Sequence, residues 1–367
     1  MFLGTAAAGS MTFESRVGKK QMLVGIHKTF FRGYFEYIQR FEHILDYNKI
    51  RHIRLECDDT DFWSRVKDLD LFVFWWRHDN GDARLASAMI PIVEGQMKVI
   101  CLPNMKTCWA YDDKIRQYYL LRQNGFPIVD SWVFWDKGKA LDWLKTATLP
   151  FVFKLSGGAG SENVTLVEDR ARAEKLIKRM FGSGIQSTRI PWGNTWWLDF
   201  KLKREIRHHV ADAVRKLRGV SLPALDLHKN YTYFQKFLPG NTYDTRVTVI
   251  GSRAFGYRRY TRDNDFRSSG SGKIDYDPKA IDLDFVDMGH AISKKLCFQS
   301  MAYDFLYDEN KKAALCEMSY NFIDQYIYNC PGYWDDSLNW HEGHYWPQYF
   351  QLVDALGMPD LKQPNLT

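Results

Sequence analysis

The sequence predicts a mixed architecture, α/β at its start and α+β beyond, on three observations. Apolar strand-like runs alternate with helical patterns over residues 19–108, a glycine-rich loop joins two short apolar runs within 150–167, and two long hairpins follow at 244–260 and 301–319. Alternation points to a parallel sheet and adjacent runs to antiparallel ones. At 367 residues with 45% hydrophobic content, the chain can hold two or three subdomains with substantial cores.

Residues 1–18 are set aside as a disordered lead, since MFLGTAAAGS reads as an artificial addition before Met11. Residues 22–26 form a strand. Phe31, Tyr34, Phe35, Ile38, Phe41, Ile44 and Leu45 then fall on one apolar helical face. Strands at 53–57, 71–76 and 99–102 and a helix at 85–93 complete a small Rossmann-like unit over 19–108, without GxGxxG. Such sheets bind ligands at the carboxyl ends of their strands, so Asn104, Lys106 and Thr107 are substrate contacts or plain loop residues.

The net charge of +6 favours anionic ligands but, without a localised patch, argues against nucleic acid. Six scattered cysteines without CxxC spacing read as reduced thiols of a cytoplasmic protein and suggest no metal cluster. The longest apolar runs are too short to span a bilayer. Aromatics at 16% exceed ordinary usage and fill cores or stack on sugar rings.

Asp112 or Asp113 caps a helix that ends at Gly125 before Pro127. Lys114 lies in its first turn, where the macrodipole disfavours a cation; it is either solvated beside the two aspartates or held by an anionic partner. Phe151, Val152 and Phe153 form one strand and 164–167 the next. Strand–loop–strand order, with Lys154 ahead of the glycines, excludes a Walker A loop. Gly157, Gly158 and Gly160 let backbone N–H groups approach an anion while Lys154 offers a point charge for a phosphate; a hairpin with a mobile tip is the alternative.

A helix follows at 169–180. Within 189–220, Ile206, Val210, Ala213, Val214 and Leu217 share one helical face and seven Lys and Arg residues of 201–218 cover the rest. This basic helix reads first as docked on the core with its charged face solvated; lying on an anionic membrane or polysaccharide is the alternative, to which nearby Trp192, Trp196 and Trp197 add a little.

Residues 231–238 form a strand running into Pro239-Gly240-Asn241. Beyond it, 244–250 and 254–260 alternate about Gly251-Ser252, a II′ turn that sets Asp244 opposite Arg259 with Arg246 on the same face, as a site or a surface charge ladder. A second Gly/Ser-rich loop, 264–273, carries Arg267 and Lys273. Phe285, Met288, Gly289, Ile292 and Leu296 mark another helix. In the 301–319 hairpin, a loop centred between Asn310 and Lys311 puts Asp304 opposite Glu317, with Ser319 and Asn321 on that face. Opposed carboxylates repel, so one is protonated or a cation such as Mg²⁺ sits between them, and removing either charge leaves folding intact or slightly improved. His341-Glu342-Gly343-His344 lacks zinc-helix spacing and reads as surface.

Taken in order, Lys114, Lys154 with its glycine loop, QKFLPG, Asp244, Arg246, Arg259, FRSS, Asp304 and Glu317 resemble the ATP-grasp superfamily, nearest the RimK-like carboxylate–amine ligases, over residues 109–325. The resemblance implies an ATP-grasp fold, two α+β lobes (109–232, with the insertion 189–220, and 233–358, before a tail at 359–367) clasping ATP behind a Rossmann-like pre-ATP-grasp domain. It implies that Lys114 and Lys154 hold phosphates beneath Gly157, Gly158, Gly160 and Ser161, that Gln235, Lys236, Phe237 and Leu238 form the hinge against adenine, and that Asp244 meets the ribose. Asp304 and Glu317 would bind Mg²⁺ with Asn321 or Ser319, and Arg259 with Arg267 and the adjacent Arg258 would neutralise the transferred phosphoryl group. Two departures stand out: Gln235 replaces the usual hinge glutamate, and Glu317-Met318-Ser319 replaces Glu-x-Asn.

The implied reaction couples a small-molecule or glycan carboxylate to an amine such as an amino acid, through an acyl phosphate, releasing ADP and phosphate. Such catalysis is mostly positioning and charge stabilisation and needs no nucleophilic side chain. A kinase acting on a hydroxyl and a non-catalytic nucleotide-binding module are the rivals; the second would lack the metal carboxylates.

Overall fold

The computed structural model describes residues 22–27, 35–76, 80–158, 163–187, 226–262, 265–268 and 271–365. The predicted basic helix within 189–220, and Gly160 and Ser161, lie outside them.

The first layer is a parallel sheet in the order β2-β1-β3-β4, from β1 (Leu23–His27), β2 (Arg51–Leu55), β3 (Leu71–Val73) and β4 (Ile100–Leu102). The helix Phe35–Tyr47 buries Ile38, Phe41, Ile44 and Leu45, as their spacing predicts. The third strand is shorter than expected because Phe74, Trp75 and Trp76 leave the ladder while staying buried. Trp75 stacks on Tyr37, and Trp76 N donates to the Tyr320 hydroxyl while that hydroxyl donates to Trp76 O, docking this layer on the C-terminal part of the chain. Asn104 and Thr107 are structural: Asn104 caps the helix Met105–Cys108, and Thr107 Oγ1 accepts from Gln299 N.

The second layer is an antiparallel sheet in the order β5-β10-β6-β7, from β5 (Ser131–Phe134), β6 (Phe151–Lys154), β7 (Val164–Val167) and, after the small ribbon of β8 (Ile185–Gln186) and β9 (Leu227–His228), β10 (Thr232–Lys236). The strand expected to lead into the second lobe thus runs between β5 and β6. Phe151, Phe153 and Phe234 fill its core with Ala173, Ile177 and Met180 of the helix Arg170–Met180, and Trp143 stacks on Phe234. Much of the aromatic content is core.

The third layer comprises β11 (Tyr243–Ile250), β12 (Arg253–Tyr260), β13 (Ile274–Asp275), β14 (Ser300–Tyr307), β15 (Ala313–Ser319), β16 (Gly332–Asp335) and β17 (Trp340–Glu342), in the order β15-β14-β11-β12-β16-β17 with β13 also on β12. Gly251, at φ +59°, makes the tight turn between β11 and β12, and Asp244 pairs with Arg259 as that turn predicts. Asp304 also pairs with Glu317, but for another reason than the one expected. Tyr307 pairs with Ala313 and Phe305 with Leu315, a register that would set Asp304 opposite Cys316; the ladder shifts between Asp304 and Phe305, so Cys316 is the extra residue of a bulge. Among the described residues no helix is long and apolar enough to cross a membrane.

Candidate functional site

A cleft opens between the second and third layers, because β10 ends at Lys236 and the chain crosses directly into β11. Gln235, Lys236, Phe237 and Leu238 line it along the crossing. Val129, Val152, Val164 and Leu306 supply apolar walls, and Phe237 meets Phe266 edge to face at 5.6 Å between centroids. A flat apolar ring fits such a slot. Gln235 is buried: its Nε2 donates to Ser131 Oγ and Tyr233 OH, both at 3.2 Å, and its Oε1 accepts from Cys316 Sγ at 3.6 Å.

The wall from the third layer carries four interlocked charges. Arg246 Nε and Nη2 donate to the two oxygens of Asp304 at 2.6 and 2.7 Å, Arg259 Nε and Nη2 grip Asp244 at 2.7 Å each, and Arg259 Nη2 also lies 2.8 Å from Asp304. Arg259 and Asp304 are buried, so this is no surface ladder. Burial opposes the Asp304 charge, but Arg246 and Arg259 outweigh it and hold the carboxyl well below the usual carboxylate range. Asp244 has one guanidinium in close contact, and burial raises its carboxyl above the ordinary value despite Arg259.

On the facing wall, Asp113 caps the helix Lys114–Gln123, accepting from Ile115 N and Arg116 N. The cap puts Lys114 at the start of the helix, buried rather than solvated: its Nζ donates to Gly158 O at 2.7 Å and lies 3.3 Å from Glu317 Oε1. Burial works against this ammonium, yet Glu317 and Asp112 raise its pKa above the ordinary value. Lys154, also buried, ends β6 with Nζ 3.6 Å from Cys316 Sγ. Gly158 adopts φ +107°, a conformation that side chains rarely take.

The cleft therefore gathers Lys114, Lys154, Gly158, the four crossing residues, Asp244, Arg259, Arg267, Asp304 and Glu317. Arg267 reaches it already paired with Asp265 at 2.6 Å. Arg258 does not reach the cleft: it immediately precedes Arg259 in β12, so it faces the opposite side of the strand, and it lies over the Tyr243 ring at 4.4 Å. Ser319 Oγ donates to Asn321 O, and Asn321 Nδ2 donates to Trp76 O and Tyr111 OH, because the chain leaves the β15 ladder after Ser319 and its two-residue alternation stops there. Gly157 packs against Asp112 outside the lining.

Repulsion between Asp304 and Glu317 is relieved by Arg246, Arg259 and Lys114, so it does not by itself demand a metal. Among the described residues no group of three or more His, Cys, Asp and Glu could hold one. Mg²⁺ needs less, usually one or two carboxylates plus substrate phosphates. Glu317 and Asp304 fit that role, being cross-strand neighbours on the cleft with Glu317 one-third exposed. Asn321 is not part of the cleft lining, its Nδ2 being held by Trp76 O and Tyr111 OH.

Cys316 and the apolar walls were missed in the sequence. The odd five-residue loop at 308–312 was a signal for the bulge that brings Cys316 in; nothing local marked Val129 or Leu306.

No family model matches the sequence, and no curated protein matches it. Among solved structures, N5-carboxyaminoimidazole synthetase from Staphylococcus aureus superposes with a TM-score of 0.55 at 10% identity, over 93% of this chain and 78% of that one. Biotin carboxylase from Campylobacter jejuni, in complex with an ATP analogue, gives 0.55 at 11% identity over 93% and 72%. An ATP-grasp ligase from Chryseobacterium gregarium, in complex with ADP and a leader and core peptide, gives 0.53 at 12% over 84% and 92%. The chain has the ATP-grasp fold, preceded by a parallel sheet.

Proposed function

We propose that the chain is an ATP-dependent carboxylate–amine ligase that forms an amide bond through an acyl phosphate and releases ADP and phosphate. One observation carries this: a single cleft gathers an apolar slot, two buried lysines beside a glycine loop and a pair of carboxylates flanked by arginines. The fold shared with the ligase from Chryseobacterium gregarium is in keeping with it.

In this reading the slot along Gln235, Lys236, Phe237 and Leu238 takes adenine, Asp244 the ribose, and Lys114 and Lys154 the phosphates. A substrate carboxylate oxygen attacks the γ-phosphorus, and the bond to the ADP oxygen breaks. The amine then attacks the acyl carbon, loses its proton and expels phosphate. Arg259 and Arg267 stabilise charge on the phosphoryl group, a positioning role that needs no covalent side chain. Mg²⁺, which Glu317 and Asp304 would hold, supplies charge against the phosphates when bound.

For the substrates, we propose a sugar acid of a surface polysaccharide and an amino acid. The basic stretch 201–218 and the exposed Trp135, whose Nε1 donates to exposed Tyr119, support an anionic, ring-bearing acid. The scattered free cysteines support work in the cytoplasm.

The test is product analysis with candidate acid and amine pairs. ADP and phosphate should accumulate only when both are present. AMP and pyrophosphate would rule the mechanism out, and ADP with a stable phosphorylated product would turn the assignment to a kinase.

A further inference from the structure

We propose that Asp112 is an internal stand-in for a phosphate oxygen: its carboxylate holds the Gly158 N–H when no nucleotide is bound, and an incoming phosphate competes with it for that donor. The inference rests on the nucleotide reading above and adds to it an affinity-determining residue that does not line the cleft.

The geometry points to this in three ways. Asp112 sits in the left-handed region at φ +51°, outside the helix that Asp113 caps. Its Oδ1 accepts from Gly158 N at 2.8 Å, and a Cβ added to Gly157 would lie 3.1 Å from its Oδ2, so the carboxylate lies close against the loop backbone. Two residues on, Lys114 takes the other side, with N donating to Ser156 O at 2.9 Å and Nζ to Gly158 O at 2.7 Å. Gly158 is thus gripped at both its N–H and its C=O. A backbone N–H freed by glycine is the donor an anion would use, and here an anion of the chain already uses it.

Charge makes the contact exchangeable. The residue is half-buried overall, with its carboxyl the shielded part; that loss of water raises Asp112 to about 7, against the pull of Lys114. Asp113 on the same segment and Glu317 on β15 add to the rise. His228, whose Cε1 would lie 3.7 Å from the same added Cβ, is itself lowered by burial. A phosphate arriving beside the ionised carboxylate repels it, and taking up a proton removes the repulsion.

The experiment is calorimetric titration of ADP into the wild type and Asp112→Asn at pH 6 and pH 8. The amide keeps an oxygen for Gly158 N–H but carries no charge. Asp112→Asn should bind ADP about tenfold tighter than wild type at pH 8, the factor set by one pH unit above the carboxyl's pKa, and the two should converge at pH 6. Repeating the wild-type titration at pH 8 in buffers of different ionisation heat should reveal proton uptake, which needs no variant to fold. Equal or weaker binding by Asp112→Asn at pH 8, or no proton uptake by wild type, overturns the inference and leaves the nucleotide reading standing. A wild type that binds no ADP overturns both.

Discussion

On the third-layer wall of the cleft, Asp244, Arg259, Asp304 and Arg246 hold one another through side chains on the adjacent strands β11, β12 and β14. On the facing wall, Asp112 and Lys114 hold backbone atoms of a glycine loop instead. The first arrangement is anchored by a ladder on either side and is complete without a ligand. The second spends, on the chain itself, the donors that a polyanion would need. The contrast teaches where one cleft is rigid and where it exchanges partners: fixed charges sit on central strands, replaceable contacts on a loop.

The largest effect tests the rigid wall. Asp304→Asn should slow turnover by about 10² to 10³, corresponding to about 3 to 4 kcal/mol of lost transition-state stabilisation. It should also destabilise the fold by about 3 to 5 kcal/mol, because the buried Arg259 and the partly buried Arg246 lose their shared partner. This reverses the expectation that removing one of two opposed carboxylates leaves folding intact. Denaturant titration beside steady-state kinetics measures both, and a variant as stable as wild type would break the comparison.

Glu317→Gln should match that loss of turnover with a stability change within about 1 kcal/mol, since Glu317 is one-third exposed and, among the described residues, pairs with Lys114 alone. Comparable unfolding of the two variants would mean that the edge strand β15 holds its charge as rigidly as the inner strands hold theirs.

Lys154→Ala should weaken nucleotide binding about 10- to 100-fold, the scale of a hydrogen bond to a charged group, while the folded state persists. An ADP titration checks it; unchanged affinity would remove Lys154 from the phosphate site.

The walls should also separate by pH. The Asp304 carboxyl is depressed, so its contribution to stability is present above its ordinary value of 3.8 and is lost as pH falls through the lower folded value. Asp112 is raised from 3.8 to about 7, so its ionisation erodes stability as pH rises between those values. Melting temperatures of Asp112→Asn should therefore fall less than those of wild type from pH 4 to pH 7. Parallel curves would place the Asp112 carboxyl in an ordinary environment.

The smallest effect is Arg258→Ala. Its guanidinium stacks on Tyr243 away from the cleft, so turnover should stay within about twofold and stability within about 1 kcal/mol. A loss rivalling that of Arg259→Ala would mean that the two faces of β12 do not divide the work.

Much of the site was legible because local rules act over a few residues. Gly251 set the pairing of Asp244 with Arg259 through the geometry of one turn, and short apolar runs marked β6 and β7 on either side of the loop. The pairing of Asp304 with Glu317 was also reached, although a symmetric hairpin does not produce it: the bulge at Cys316 does. Arg258 lies outside the cleft because alternation along β12 turns it to the face opposite Arg259, and Asn321 because the alternation that placed it stops where β15 ends at Ser319.

By itself, then, the sequence determined which segments are strands, where the tight turns fall and which chemical groups come in which order, since propensity, periodicity and turn geometry are short-range. Only the tertiary structure decided how those groups neutralise one another. Lys114 and Glu317 are distant in sequence and meet across the cleft, Arg246 finds Asp304 on a neighbouring strand, and Asp112 turns to the glycine loop rather than to its own helix. Burial sets the energy of each charge and packing of distant segments sets its partner, and neither quantity exists until the layers have closed on one another.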